Sequence, residues 1–177
     1  MKLYLNTYIT PFQQQLMIGT TEKGVVWIDW FQNKEDQLNT IKKHLKTEDF
    51  VFEETPFFNQ VKNELEAYFK AELKTFETPI ELIGTDFQKK VWEALLTIPY
   101  GETSTYSNQS IKVGDIKAIR AVASANGSNP ISIIVPCHRI IGKDGSLTGY
   151  RGGLENKRFL LDHEARFSNK PVQGSLF

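Results

Sequence analysis

The chain has 177 residues, 40% of them hydrophobic, which is enough to bury a core in one large domain or two small ones and excludes a disordered or fibrous protein. Lysine plus arginine equals aspartate plus glutamate, 21 each, so overall charge does not point to a polyanionic partner, and one cysteine excludes an internal disulfide and a cysteine-rich zinc site. No stretch has the length and apolarity of a signal peptide or a membrane span, so the expectation is a soluble, cytoplasmic protein with no membrane partner.

The first part opens with "KLYLNTYIT" and "QQLMIGTTEKGVVWIDWF", where aromatic and β-branched residues around Gly24 predict two or three hairpin-like strands. "PFFNQVKNELEAYFKAEL" places Phe58, Val61, Leu65, Tyr68, Phe69 and Leu73 at helical steps. "KTFETPIELIG" reads as an extended connection broken by Pro79 and Gly84. In the second part, Thr85 or Asp86 caps a helix with an apolar face of Phe87, Val91, Trp92, Leu95 and Leu96, stopped by Pro99 and Gly101. Two short helices around Val113-Gly114, the second capped by Asp115, read as a helix-turn-helix.

Charge is distributed unevenly between these parts. Residues 1–83 carry 9 basic and 13 acidic side chains, whereas residues 84–168 carry 11 basic and 8 acidic ones and hold all five arginines. Arginine grips phosphate with two prongs and stacks on flat rings, so a charged partner is expected at the second part. The second helix of the pair is small-faced, with Ala118, Ala121, Ala123, Ser124, Ala125, Gly127 and Ser128, and Arg120 is its long cation. Major-groove readers present several long polar side chains. This helix suits a minor groove, with the arginine pushed into the base stack; close packing of the alanines against another helix is the alternative.

"ISIIVPCHRII" is an apolar, strand-like run interrupted at Pro136, which places Cys137 where a strand ends. A thiol attacks only as thiolate, and neighbouring cations and a base supply that form. His138 and Arg139 adjoin it in sequence, and Glu164 in "LLDHEAR" is a carboxylate able to orient a histidine. An inert core cysteine is the alternative, made less apt by those polar neighbours. Gly142, Gly145, Gly149, Gly152 and Gly153 then mark a loop around Tyr150 and Arg151 that suits a flat ligand.

Together "GTDFQKKVWEALLTIPYGETSTY", "RAVASANGSNP", "IIVPCHRIIGKDGSLTGYRGGL" and "KRFLLDHE" resemble, in order and spacing over residues 84–165, the methylated-DNA–protein-cysteine methyltransferases, or O6-alkylguanine-DNA alkyltransferases. The resemblance implies an amino-terminal α/β domain of ribonuclease H-like fold over residues 1–83. It implies a mainly helical domain with helix-turn-helix and winged-helix-like character over 84–166, and a flexible tail over 167–177. It implies double-stranded DNA containing O6-alkylguanine as partner, O4-alkylthymine as an open second substrate, a monomer, no cofactor and no metal.

By the same resemblance Cys137 is the acceptor, His138 its base through a water, and Glu164 the residue that orients His138. Asn129 helps hold the site, Tyr106 contacts the flipped guanine and assists its departure, and Arg120 fills the vacated stack. Ala121 and Lys143 join Arg120 and Tyr106 as DNA contacts, and Tyr150, Arg151, Gly152 and Pro136 wall the pocket. The product thioether has no leaving group, so each molecule acts once. Departures are Asp115-Ile116, where many members have a proline-containing turn, and Arg151, where a small residue is common and a narrower pocket is implied.

The end "FSNKPVQGSLF" places Gln173, Leu176 and Phe177 in a pattern that resembles the peptides by which bacterial repair and replication proteins dock into the sliding clamp, with Gly174 in place of the usual leucine. Two other classes stay in view: a damage-sensing binder that accepts no alkyl group, whose known forms lack the cysteine, and a Cys-His hydrolase, for which no oxyanion arrangement is apparent.

Overall fold

The computed structural model describes residues 1–169, and the chain divides into two compact units, Met1–Gly84 with Pro130–Ser132, and Thr85–Asn129 with the residues from Ile133 onward. The tail residues Gln173, Leu176 and Phe177 lie outside the described residues.

The first unit is built on a four-stranded sheet in the order β3-β2-β1-β4, made of β1 (Leu3–Ile9), β2 (Gln15–Thr20), β3 (Val25–Trp30) and β4 (Phe50–Phe52). The first three strands are the expected hairpins, antiparallel throughout. β4 pairs parallel to β1 and has no counterpart in the sequence reading. Gly24 makes the β2–β3 turn possible. Its φ is +152°, and a Cβ there would lie 2.4 Å from the carbonyl oxygen of Pro79.

β3 ends its sheet, yet all six of its residues are buried. Its backbone bonds to two further stretches, Val25 N–H donating to Pro79 O at 2.9 Å and Ile28 N–H to Pro130 O at 2.9 Å, so the exposed edge is covered. A strand covered on its edge and both faces needs no polar alternation, which explains the near-continuous "VVWIDW".

α1 (Lys34–Leu45) lies on the face of Leu3, Leu5, Met17 and Trp27, to which it adds Ile41 and Leu45. The sequence reading passed over this helix, although Asn33 accepts from the N–H groups of Glu35 and Asp36 as its N-cap and Lys46 ends it at φ 51°. α2 (Pro56–Phe69) packs on β2 and β3 through buried Phe58, Val61, Leu65 and Tyr68, and starts with Thr55 accepting from Phe58 N–H. It stops before Leu73, where Ala71 adopts a left-handed φ of 60°.

The second unit is mainly helical. α3 (Asp86–Leu96) begins with a capping box, Thr85 Oγ1 accepting from Gln88 N–H and Gln88 Oε1 from Thr85 N–H. α4 (Tyr106–Val113) and α5 (Ile119–Gly127) form the helix-turn-helix, joined by Gly114 and a 3-10 turn, Ile116–Ala118, that Asp115 caps. Trp92 Nε1 donates to Ala125 O at 2.8 Å and ties α3 to α5. Gln109 and Asn126 exchange amide hydrogen bonds of 2.8 and 2.7 Å between α4 and α5. Two short strands, β5 (Ser104–Thr105) and β6 (Ile140–Ile141), pair in parallel, and α6 (Leu154–Phe167) closes the described chain.

The run "ISIIVP" is not a strand leading to Cys137. Beyond a single bridge from Ile131 to Ile28 it turns, because Ile133 sits at φ 75°, a costly conformation for a β-branched residue, and Pro136 lacks an N–H. Cys137 opens a 3-10 turn, Cys137–Arg139, that runs into β6.

Candidate active site

The turn places three consecutive side chains in three environments. Cys137 lines a cavity of about 470 Å³ with Tyr106, Ile119, Arg120, Ala123, Asn126, Gly127, Thr148, Gly149, Tyr150 and Arg151. His138 is wholly buried, and Arg139 is nearly so.

The thiol is held from one side by Asn129. Its Nδ2 donates to Cys137 Sγ at 3.2 Å and to Val135 O at 2.7 Å, and an N–H aimed at sulfur favours the thiolate. His138 Nε2 lies 2.8 Å from Glu164 Oε1 on α6. Arg139 grips the same carboxylate with two prongs, Nε to Oε2 at 2.8 Å and Nη2 to Oε1 at 2.9 Å. It also donates through Nη1 to Ile98 O at 2.6 Å, and Gly101 N–H donates to Glu164 Oε2 at 3.3 Å. Gly101 has φ +76°, and a Cβ there would meet Ser168 Cβ at 2.4 Å, so only glycine brings that N–H to the carboxylate without displacement.

Burial, the largest influence on Glu164, acts to raise its carboxyl, but His138 and the Arg139 guanidinium outweigh it and hold it well below the usual carboxylate range. Burial is also the largest influence on His138 and lowers its imidazole, ahead of the opposing pull of Glu164. The two directions conflict if His138 supplies the positive charge that holds Glu164 down. The bidentate guanidinium suffices to keep Glu164 ionised, so the consistent state is an anionic Glu164 beside a neutral His138. An ionised carboxylate only accepts, so His138 Nε2 carries the proton and donates to it. Nδ1 then keeps its lone pair, and this buried atom has no hydrogen-bond partner among the described residues. An imidazole nitrogen in that state is able to accept a proton.

Lys157, on α6, is fully buried and donates through Nζ to Thr148 O at 3.0 Å and Gly149 O at 3.4 Å, two residues of the cavity wall. Burial lowers its ammonium to about 8, and Cys137 pulls it back upward, as expected of a cation near a thiolate. Tyr106 begins α4, and its hydroxyl donates to Thr148 O at 3.0 Å.

Of the residues singled out from sequence, Cys137, Tyr106, Arg120, Ala123, Gly127, Gly149, Tyr150 and Arg151 line the cavity. His138 and Glu164 form one buried pair, while Asn129 contacts the sulfur and Pro136 precedes it. Gly152 follows Arg151 without lining the cavity, and Ala121 and Lys143 are exposed away from it. The sequence reading missed Ile119, Asn126 and Thr148 in the cavity, and the burial of Lys157. Lys157, Leu161 and Glu164 recur at steps of four and three residues along α6, a spacing that would have placed the lysine on the face of Glu164. Among the described residues no group of three or more His, Cys, Asp or Glu could hold a metal, and no helix is long and apolar enough to cross a membrane.

A thiol in a cavity partly walled by a helix-turn-helix, followed in sequence by the histidine of a buried His-Glu pair, is the layout of a candidate nucleophilic cysteine in a DNA-binding type of domain. Family comparison supports this class. Residues 86–166 match the 6-O-methylguanine DNA methyltransferase DNA-binding domain, and residues 3–82 match the ribonuclease-like domain of the same proteins. The chain belongs to the 6-O-methylguanine DNA methyltransferase family.

It is 43% identical over 162 residues to a methylated-DNA–protein-cysteine methyltransferase of Methanosarcina acetivorans, covering 92% of this chain and 98% of that protein. It is 47% identical over 170 residues to the constitutive methylated-DNA–protein-cysteine methyltransferase of Bacillus subtilis, covering 91% and 94%. The crystal structure of Mycobacterium tuberculosis OGT in complex with DNA superposes with a TM-score of 0.80 at 38% identity, covering 93% of this chain and 94% of that one.

Proposed function

We propose that this protein repairs double-stranded DNA by moving the alkyl group of O6-alkylguanine onto Cys137. The observation that carries the reading is the placement of Cys137 in a cavity of about 470 Å³, a size that suits a small ring system, with Asn129 on its sulfur. The damaged nucleotide leaves the duplex, because a nucleophile inside a pocket cannot reach O6 within the stack. The exposed face of α5, with Arg120, Ala121 and Ser124, meets the minor groove together with Lys117 of the preceding turn, and Arg120 enters the space left by the extruded nucleotide. Lys143 adds a cation for the phosphates.

Water held at His138 Nδ1 takes the proton of Cys137, and Glu164 keeps the imidazole in the tautomer that makes this possible. The thiolate attacks the alkyl carbon in line, the S–C bond forms, and the C–O6 bond breaks with its electron pair going to guanine. Tyr150 and Arg151 wall the base, and Tyr106 holds it and assists protonation of the departing ring. A thioether has no leaving group, so each molecule accepts one alkyl group, and the displacement needs no cofactor; the acting species in this reading is the monomer.

Intact mass after incubation with a duplex containing one O6-methylguanine tests this. The expected result is a gain of one methyl group on the peptide holding Cys137, absent from Cys137→Ser, at no more than one equivalent. Binding to the lesion without a mass change means a damage sensor, and product in excess of protein means a hydrolase. A duplex with O4-methylthymine in the same assay reports on the second substrate.

The tail residues Gln173, Leu176 and Phe177 are assigned to the sliding clamp on their likeness to clamp-docking peptides. Deleting residues 173–177 is expected to leave transfer to a short duplex intact and to abolish clamp binding in a pull-down. Clamp binding by the truncated chain would overturn that assignment.

A further inference from the structure

The charged side chains that line the cavity are both arginines. Arg120 and Arg151 are among the residues that line it, and no carboxylate is. Arg120 stands on the exposed face of α5. Arg151 is half-buried, and its Nη2 donates at 2.9 Å to the carbonyl oxygen of Asn129, a residue 2% exposed. Asn129 is also the residue whose side chain touches Cys137 Sγ at 3.2 Å. Asn129 is thus a shared partner, its backbone bonding the guanidinium and its side chain the sulfur, and Arg151 and Cys137 line the same cavity. Lys157 adds a third cationic side chain behind Thr148 and Gly149, while the buried carboxylate of the site, Glu164, is already engaged by Arg139 and His138.

We propose that Arg151 is a specificity-determining residue that favours O6-alkyl groups carrying a carboxylate, the smallest being carboxymethyl. This rests on the alkyl-transfer reading given above. The planar guanidinium edge matches the two oxygens of a carboxylate, and a charge-assisted bond of this kind is strong in a site that excludes water. In the reaction the Cys137 thiolate attacks the methylene carbon and the S–CH2 bond forms. The CH2–O6 bond breaks with its pair going to guanine, which takes up a proton. The product is S-carboxymethylcysteine, with no oxidant or reductant involved.

The test compares single-turnover transfer, read by intact mass, from identical duplexes carrying O6-methylguanine, O6-carboxymethylguanine or O6-carbamoylmethylguanine. The last two have the same number of heavy atoms and differ in charge. The native chain is expected to react about tenfold faster with carboxymethyl than with carbamoylmethyl, a margin at the low end for a hydrogen bond to a charged group, and the margin should shrink with added salt. Arg151→Gln should bring the ratio to about one, and Arg151→Lys to an intermediate value. A role in lowering the thiol pKa would scale both substrates alike and leave the ratio unmoved.

A ratio of one in the native chain overturns the proposal whatever the variants do, and so does an undiminished ratio in Arg151→Gln. If no methyl reaches Cys137, the transfer reading itself fails. Methyl transfer with a charge-blind ratio removes only the role of Arg151.

Discussion

The two units bury different chemistry. The first fills its interior with Leu3, Leu5, Met17, Val26, Trp27, Ile41 and Leu45, and among its described residues Asp29 is the buried charged side chain. The second buries His138, Arg139, Lys157, His163 and Glu164 alongside Cys137, Asn129 and Gln109. Apolar burial stabilises a fold in rough proportion to area, whereas a buried ion pair seldom does more than offset its own desolvation. The second unit therefore keeps its charges for something other than stability, and their arrangement around one thiol says what. Arg139 holds Glu164 ionised, Glu164 holds the His138 proton on Nε2, and Nδ1 is left able to accept a proton.

The contrast can be broken most sharply at Glu164. Glu164→Gln leaves the Arg139 guanidinium buried without its counter-charge and lets His138 adopt the other tautomer. The expected loss is about 3–5 kcal/mol of stability together with a fall in transfer rate of about 10²-fold or more, checked by urea unfolding and by single-turnover mass assay. In the first unit, Leu5→Ala should cost about 2–5 kcal/mol by opening a cavity in the sheet core. Transfer per folded molecule should stay near native there, because Leu5 belongs to the first unit's core and the reacting groups to the second. A rate loss for Leu5→Ala as large as that for Glu164→Gln would dissolve the distinction.

Acid sharpens the comparison further. His138 has its pKa lowered on folding, so below its ordinary 6.5 the unfolded chain takes up a proton that the folded chain refuses. Glu164 is also lowered, so its contribution is present above its ordinary 4.5 and is lost as pH falls below that value. Both effects make stability decline on acidification, first below about 6.5 and then more steeply below about 4.5. Lys157 acts at the other end. Lowered from 10.5 to about 8, it makes the folded state gain stability as pH rises from about 8 to about 10.5, because the unfolded chain then binds the extra proton. Urea midpoints across this range, for the native chain and Lys157→Met, check the sign, and a flat alkaline limb in the native chain would contradict it. The smallest expected effect is at Thr85, whose hydroxyl caps α3. Thr85→Ala should cost about 1 kcal/mol in thermal unfolding with no change in transfer.

Much of the site was legible because its chemistry is concentrated in short stretches. Pro136 to Arg139 are contiguous, and "KRFLLDHE" carries both Lys157 and Glu164 on one helix. Turn residues and caps likewise announced the helix-turn-helix, since Gly114 and Asp115 act locally. Local signals failed where a long-range contact decided the outcome. β4 is three residues long and exists because β1 pairs with it, and "ISIIVP" has every β-forming preference yet turns at Ile133. α1 is the opposite case, a helix with caps and periodic Leu38, Ile41 and Leu45 that were present to be read among many charges.

By itself the sequence determined the family, the candidate nucleophile and the helix-turn-helix that helps wall its cavity, because each of these is written in residues close together along the chain. Tertiary structure alone decided which charges are buried and in what state. It joins Arg139 and Glu164 across 25 residues, sets Gly101 against Glu164 across 63, and brings Arg151 to Asn129 across 22. The protonation of His138 follows from desolvation and from the partner of its partner, and neither quantity exists until the chain has folded around them.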